Sequence, residues 1–307
     1  SVDDEANELP DIDTCKVQVK AETSLYAEIF SSPEKAGSGT DGWLNEMASE
    51  FNAQGFQVDG QTVSVQIRNV NSGQALDYIA TGKAVPEGFA PSSILWVDML
   101  NAKGTTTETI SESLVGNVAG ILLSKETNAQ IVEKYGSVDL KAITEATEAG
   151  EFAMGYTNPF ASSAGLNFLI CTLERYDLNN PLSETATAGF QKFQKNVPFV
   201  ALTTMQMREA AENGSLDGFI MEYQSYTNDT MLSNNYTFTP YGYRHDNPLV
   251  CVDSISPEKK EILNLFAKFC ASDKAKARAT EFGFNSMNDY TCEYEPVSGD
   301  ILTAAQK

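Results

Sequence analysis

The residues best suited to do chemistry lie between Gly155 and Gly165, where the chain reads Gly-Tyr-Thr-Asn-Pro-Phe-Ala-Ser-Ser-Ala-Gly before an apolar helical run. Ser162 and Ser163 put two hydroxyls and several backbone N–H groups at a helix entrance. A helix start carries unpaired donors and a partial positive charge, so it holds an anion or a polar ligand without a catalytic residue. Similar small-polar turns occur at Ser31-Ser32-Pro33-Glu34 and Ala90-Pro91-Ser92-Ser93, and Ser72 with Gly73 opens another helical pattern. Serine is also an ordinary N-cap residue, so each turn has a capping explanation; a second hydroxyl beside a cap is what capping leaves over. Leu216-Asp217-Gly218-Phe219-Ile220-Met221 reads as a buried strand that delivers Glu222 and Tyr223 to its end, where ligands of α/β sheets sit. Tyr223 can donate to an oxyanion or, as a phenolate, bind a hard metal. Glu222 repels a bare oxyanion unless it ligates a metal, pairs with Arg or turns away, and a structural role for this pair is the other reading. Together these turns point to binding rather than catalysis.

Enzymatic patterns are weak. The single histidine, His245, lies in Tyr-Gly-Tyr-Arg-His-Asp within a polar stretch and reads as an exposed loop residue. No Gly-x-Ser-x-Gly elbow accompanies it, so a Ser-His-Asp hydrolase has no nucleophile turn. Neither Gly-x-Gly-x-x-Gly nor a Walker sequence occurs, and no cofactor is expected. Asp and Glu show no metal-ligand spacing, and no metal is expected. Cysteines 15, 171, 251, 270 and 292 fit no zinc or Cys-x-x-Cys pattern. Cys171, Cys251 and Cys270 sit in apolar runs and read as small buried hydrophobes.

The 307 residues suit two lobes better than one core, and 42% hydrophobic content supplies the cores. Asp and Glu total 42 against 21 Lys and Arg, a formal charge of −21. Such a surface repels phosphate backbones and anionic membranes, which argues against nucleic-acid binding. It leaves room for an anionic ligand, because local N–H donors oppose the global field at short range. No apolar run approaches the roughly 20 residues that span a bilayer. Residues 1–14 are acidic and read as a flexible tail.

The elements that position these turns alternate. Residues 16–30 are strand-like. A helix follows from Asp41 as N-cap to Gly55, with Leu44, Met47, Ala48 and Phe51 on one face. Thr62–Val70 alternates as a strand, and Asn71-Ser72-Gly73 leads into a helix. After a second serine pair and a threonine-rich hinge at 104–109, Val115–Leu123 reads as a buried strand. Helices follow near 128–135, 139–149, 166–173 and 203–213. A polar stretch occupies 224–247, Pro248–Val252 is a last strand, and Ser256-Pro257-Glu258 opens a final helix. This β-α-β-α rhythm predicts an α/β fold with parallel strands.

The order of these motifs resembles a known family. A serine turn after an early strand is followed by a second Ser-Ser before a helix. Next come Gly-Tyr-x-x-Pro-x-x-Ser-Ser-x-Gly, Gly-x-x-Asp-Gly-Phe leading to Glu-Tyr, and Asn-Pro-Leu-Val-Cys-Val. A tail running from Ser256-Pro257-Glu258 to Phe284 completes the series. Over roughly residues 16–290 the chain is similar to bacterial extracellular solute-binding proteins of ABC importers. The likeness is to their type II class, with its molybdate-, sulfate- and ferric-ion-binding members. That resemblance implies two α/β lobes with a ligand cleft between them: lobe I from 15–116 and 243–307, lobe II from 117–242. It implies hinge closure on one small polar ligand, an oxyanion being favoured, with sugar, peptide or metal ligands and a sensing role as alternatives. Ligand contacts would be Ser31, Ser32, Ser72, Ser92 and Ser93 in one lobe and Ser162, Ser163, Glu222 and Tyr223 in the other. The implied partner is a membrane ABC permease, and the implied state a secreted monomer tethered as a lipoprotein. Tyr223, Tyr226, Tyr236, Tyr241 and Tyr243 would cluster near the return crossing, either stacking on a ligand or packing a loop.

Overall fold

The helix face read from the sequence at Leu44, Met47, Ala48 and Phe51 is buried along its whole length, on a helix running Trp43–Ala53. Its N-cap is Gly42; Asp41 lies in the preceding 3-10 turn, where its carbonyl accepts from Gly37 N–H. The computed structural model describes residues 2–200, 204–252, 254–292 and 294–307. Helices and strands form two compact units, one of residues up to 117 with 245–288, the other of 118–244 with 289–307.

In chain order the strands are β1 (Val17–Val19), β2 (Leu25–Ser31), β3 (Gln57–Val58), β4 (Gln61–Asn69), β5 (Gly88–Ala90) and β6 (Thr107–Ser111). β7 (Asn117–Ser124), β8 (Met154–Tyr156), β9 (Phe199–Val200), β10 (Gly218–Glu222) and β11 (Tyr236–His245) follow, and β12 (Leu249–Val252) comes last. The first unit's sheet has the order β1-β4-β2-β5-β12-β6, with β3 on the edge of β4. β2 runs parallel to β4 and β5, so the chain segments after β2 and β5 leave from the same end of the sheet. The expected parallel strands are present as β2, β4 and β5, and antiparallel pairing by β1, β3, β6 and β12 makes the sheet mixed. The second half of the threonine segment expected as a hinge, 107–109, belongs to edge strand β6. Helix Pro257–Cys270 covers this sheet, with Ser256 accepting from Lys259 N–H and Pro257 supplying a preset first turn. Its Ile262, Leu263 and Phe266 join Phe51 and Trp43 in the core. Each such side chain contributes about 1.5–3 kcal/mol by leaving water.

The second unit's sheet has the order β11-β7-β10-β8-β9, with β7 antiparallel to β10 and β8 parallel to both β10 and β9. Helix Ser163–Tyr176 is buried over most of its length, and Phe168 packs between Tyr156, Phe193 and Tyr241. The polar stretch 224–247 is more ordered than its composition suggested. It holds the short helices Tyr223–Asn228 and Thr230–Asn235 and the ten-residue strand β11.

Three further expectations are corrected. His245 is fully buried at the end of β11, not exposed in a loop. The acidic start is no free tail: Val2–Glu8 is helical, Lys83 Nζ donates to Ala6 O at 2.9 Å, and Tyr78 Oη donates to Pro10 O. Residues 289–307, expected in the first lobe, belong to the second unit, where Gln306 Nε2 donates to Pro159 O at 3.0 Å. Cys171, Cys251 and Cys270 are buried and, among the described residues, none of the five cysteines is joined in a disulfide. No described helix is long and apolar enough to cross a membrane.

Candidate functional site

In the first unit, the parallel pairing of β2 with β4 and β5 gathers the serines. Ser31 ends β2, Ser32 follows it, and Ser92 and Ser93 follow β5 within three residues. Ser32 N–H donates to Ala90 O at 3.2 Å, which fastens one strand end to the other. Ser72 Oγ accepts from Ser92 N–H at 3.2 Å and lies 3.4 Å from Ser92 Oγ. Ser93 caps helix Ile94–Ala102, accepting from Leu95 N–H at 3.2 Å. Ser31, Ser32, Ser72, Ser92 and Ser93 are all at most 3% exposed. Five hydroxyls withheld from water at strand ends form a polar cluster that needs partners.

Two charged residues complete this cluster. Lys35 is fully buried; its Nζ donates to Ser32 Oγ at 2.6 Å, to Ala90 O at 2.9 Å and to Pro91 O at 3.5 Å. Glu34, 7% exposed, accepts from Ser32 Oγ at 2.5 Å and lies 3.7 Å from Lys35 Nζ. Sequence reasoning missed both, since Pro-Glu-Lys after a serine reads as an ordinary solvated first turn. The available signal was the Ser32–Lys35 spacing of three, which puts the two side chains on one face of a helical turn. Asn247 was missed as well. Its left-handed backbone (φ 49°) lets its N–H donate to Ser92 O at 3.1 Å, and its Nδ2 donates to Val115 O and His245 O.

In the second unit, Ser162 caps helix Ser163–Tyr176, accepting from Gly165 N–H at 3.3 Å, and its hydroxyl lies 2.9 Å from Thr157 Oγ1. Asn158 Oδ1 accepts from Phe160 N–H, and Asn158 O accepts from Ser162 N–H at 2.9 Å, so the loop is built on its own backbone. Gly165 is required here: a Cβ at this position would collide with the Thr157 carbonyl. Ser163 is buried behind Ser162. Glu222 ends β10 and occupies the N-cap position of helix Tyr223–Asn228 without a side-chain capping bond. Tyr223 is half-buried and packs edge-on to Phe238 at 5.2 Å and near Tyr226 at 5.9 Å. The five tyrosines expected to cluster separate. Tyr223, Tyr226 and Tyr236 pack with Phe238 and Phe219, while Tyr241 donates to Ala164 O and Tyr243 to Glu174.

Among the described residues, no group of His, Cys, Asp and Glu is arranged to hold a metal ion. In the first unit, serine hydroxyls, the Lys35 amine and the Glu34 carboxyl lie together, withdrawn from water, at the ends of parallel strands.

The two-sheet architecture is shared with solved proteins of the type II periplasmic-binding class. One is the sulfate-binding protein SubI from Mycobacterium tuberculosis H37Rv, 14% identical over 91% of this chain and 90% of that chain, at a TM-score of 0.57. Another is iron-bound HitA from Pseudomonas aeruginosa, 12% identical over 92% and 97%, at 0.61. A periplasmic thiamin binding protein is 11% identical over 91% and 92%, also at 0.61. No curated protein matches the sequence. A family model of bacterial extracellular solute-binding proteins matches residues 36–285, and the chain belongs to that family.

Proposed function

We propose that this chain is the solute-capturing subunit of an ABC import system outside the cell. It holds one small polar ligand, an oxyanion by preference, and passes it to a membrane permease without transforming it. The observation that carries this reading is the set of five buried serines at the strand ends of the first unit. Family membership supports solute binding, and the chemical variety of proteins sharing the fold leaves the ligand class to the residues. Lys35 supports an anion, because a desolvated ammonium attracts negative charge over short range. The formal charge of −21 supports a partner other than nucleic acid. Ser162, Ser163, Glu222 and Tyr223 form the second unit's contribution in this reading, and the protein acts as a monomer.

A thermal-shift screen against molybdate, tungstate, sulfate, phosphate, ferric ion, sugars and amino acids tests it. A ligand present at about 100 times its Kd stabilises by about 2.7 kcal/mol. An oxyanion should raise the midpoint, and Ser92→Ala should abolish the rise. A response to sugars, amino acids or ferric ion alone overturns the oxyanion class.

A further inference from the structure

The second unit holds a cavity of about 430 Å³ that none of the serines considered above lines. Every residue around it belongs to that unit. Leu169 and Leu173 form its buried side, one turn apart on helix Ser163–Tyr176 and 7% and 5% exposed. They share a small core cluster with Ala186, against which Phe190 and Ala305 pack. The other walls are the Asn158–Phe160 turn, the helix Glu184–Gln194 with Pro181 and Leu182 before it, and the end of helix Gly299–Ala305. Gln306 Nε2, donating to Pro159 O at 3.0 Å, ties the last wall to the first.

The lining contrasts with the rest of the chain. Asp and Glu total 42 against 21 Lys and Arg, yet among the described residues no Asp or Glu lines this cavity. Lys307 is its one charged residue there and is exposed; the remaining polar lining is neutral, including Gln191 and Gln194. Six large apolar side chains are exposed among the described residues, and two of them, Phe160 at 56% and Leu182 at 40%, line the cavity. Exposed apolar surface gathered in one place marks a binding site. Cavities of about 300–1,000 Å³ with apolar walls and a few neutral hydrogen-bonding groups are small-molecule sites. A stable protein interface needs about 800 Å² from each partner, more than two exposed apolar side chains beside polar neighbours supply. We propose that this cavity binds a small uncharged molecule, an apolar ring or chain whose polar head meets the glutamine amides. A charged ligand would lose its hydration to apolar walls and gain no buried partner of opposite sign. The proposal does not depend on the oxyanion reading above.

The test is a fluorescence titration of the whole protein with N-phenyl-1-naphthylamine, an uncharged probe that brightens on leaving water. Its counterpart is 8-anilinonaphthalene-1-sulfonate, which carries the same rings and one negative charge. The uncharged probe should saturate at one site and bind at least about 10-fold more tightly than the sulfonate. Phe160→Ser removes a half-exposed aromatic wall and should weaken the uncharged probe about 10-fold. Thr187→Trp, on an exposed wall, should fill the cavity and abolish binding. Unchanged binding in both folded variants would put the probe elsewhere and overturn the proposal. The wild-type comparison needs no variant: absence of saturable binding, or sulfonate binding as tight as that of the uncharged probe, overturns it too. Dimerisation at high protein concentration that Phe160→Ser removes would give the cavity to a second copy, and would also overturn it.

Discussion

In the first unit, Ser32, just past the end of β2, meets the Lys35 amine and the Glu34 carboxyl within one turn of chain, all three nearly withdrawn from water. In the second, Ser162 meets a threonine hydroxyl and a backbone amide, and the neighbouring strand end offers Glu222 and an aromatic face. One hydroxyl is fixed by charge, the other by neutral caps and close packing. The difference teaches that similar serine turns can rest on unlike supports. Charge-assisted hydrogen bonds are shorter and roughly twice as strong as neutral ones. They also fail harder when one member is lost, since the remaining charge stays buried and unpaired.

The largest expected effect follows from that asymmetry. Lys35→Met removes a buried cation from beside Glu34 and the donor shared by Ala90 O and Pro91 O, and should cost about 3–5 kcal/mol in urea denaturation. Adding Glu34→Leu to it should recover much of the loss, because an apolar pair leaves no orphaned charge. A Lys35→Met protein within about 1 kcal/mol of wild type would show that the ion pair is no structural support. Gly165→Ala probes the second unit's reliance on contact. Its Cβ would strike the Thr157 carbonyl, and backbone cannot yield as a side chain does, so a loss of about 1–3 kcal/mol is expected.

The units also differ in how they answer to pH. Burial of Glu174 in the second unit pushes its carboxyl up to about 7, against a smaller opposing effect of the Tyr243 hydrogen bond. Tyr243 Oη is within bonding reach of both Glu174 and Glu295 O, yet a phenol has one proton. Shared between two acceptors, that proton offsets only part of what burial costs the Glu174 carboxylate. The folded state thus holds a proton more tightly than the unfolded chain. The resulting stability is fully present below about 4.5 and is lost as pH rises through about 7. Chemical denaturation at several pH values should show this decline in the wild type, and Glu174→Gln should flatten it. A wild-type curve that rises across the window would reverse the assignment.

Much of the architecture was legible because its signals are local. The Leu44–Met47–Ala48–Phe51 face, the alternation through β4 and the Ser256-Pro257 start each need only a few consecutive residues. The serine turns were legible for the same reason. β11 was not, since Tyr, Thr and Gly there lack apolar alternation, and its pairing with β7 spans more than a hundred residues of chain. The burial of His245 went with it. Lys35 escaped because burial of a charge depends on carbonyls from Ala90 and Pro91, 55 and 56 residues away. Residues 289–307 were placed in the first lobe by the family resemblance, whereas Gln306 and the helix Gly299–Ala305 pack on the second unit.

The smallest effect is where the two units should agree. Ser93 and Ser162 each cap a helix through one hydroxyl, at 3.2 and 3.3 Å from the amide they serve. Replacing either by alanine removes one capping bond and should cost about 1 kcal/mol, whatever the unit. Capping is blind to ligand, so the loss should be the same with and without a saturating solute if the hydroxyl does nothing else. A hydroxyl that also touches ligand adds a second loss, visible only in the ligand-induced rise of the midpoint. Ser162 has a further bond to Thr157 and Ser93 does not. Equal losses without ligand, together with a diminished ligand-induced rise for both variants, would show two cap serines recruited to binding. A full rise in Ser93→Ala would reduce that residue to a cap and shift the first unit's recognition onto Ser32, Ser72 and Ser92.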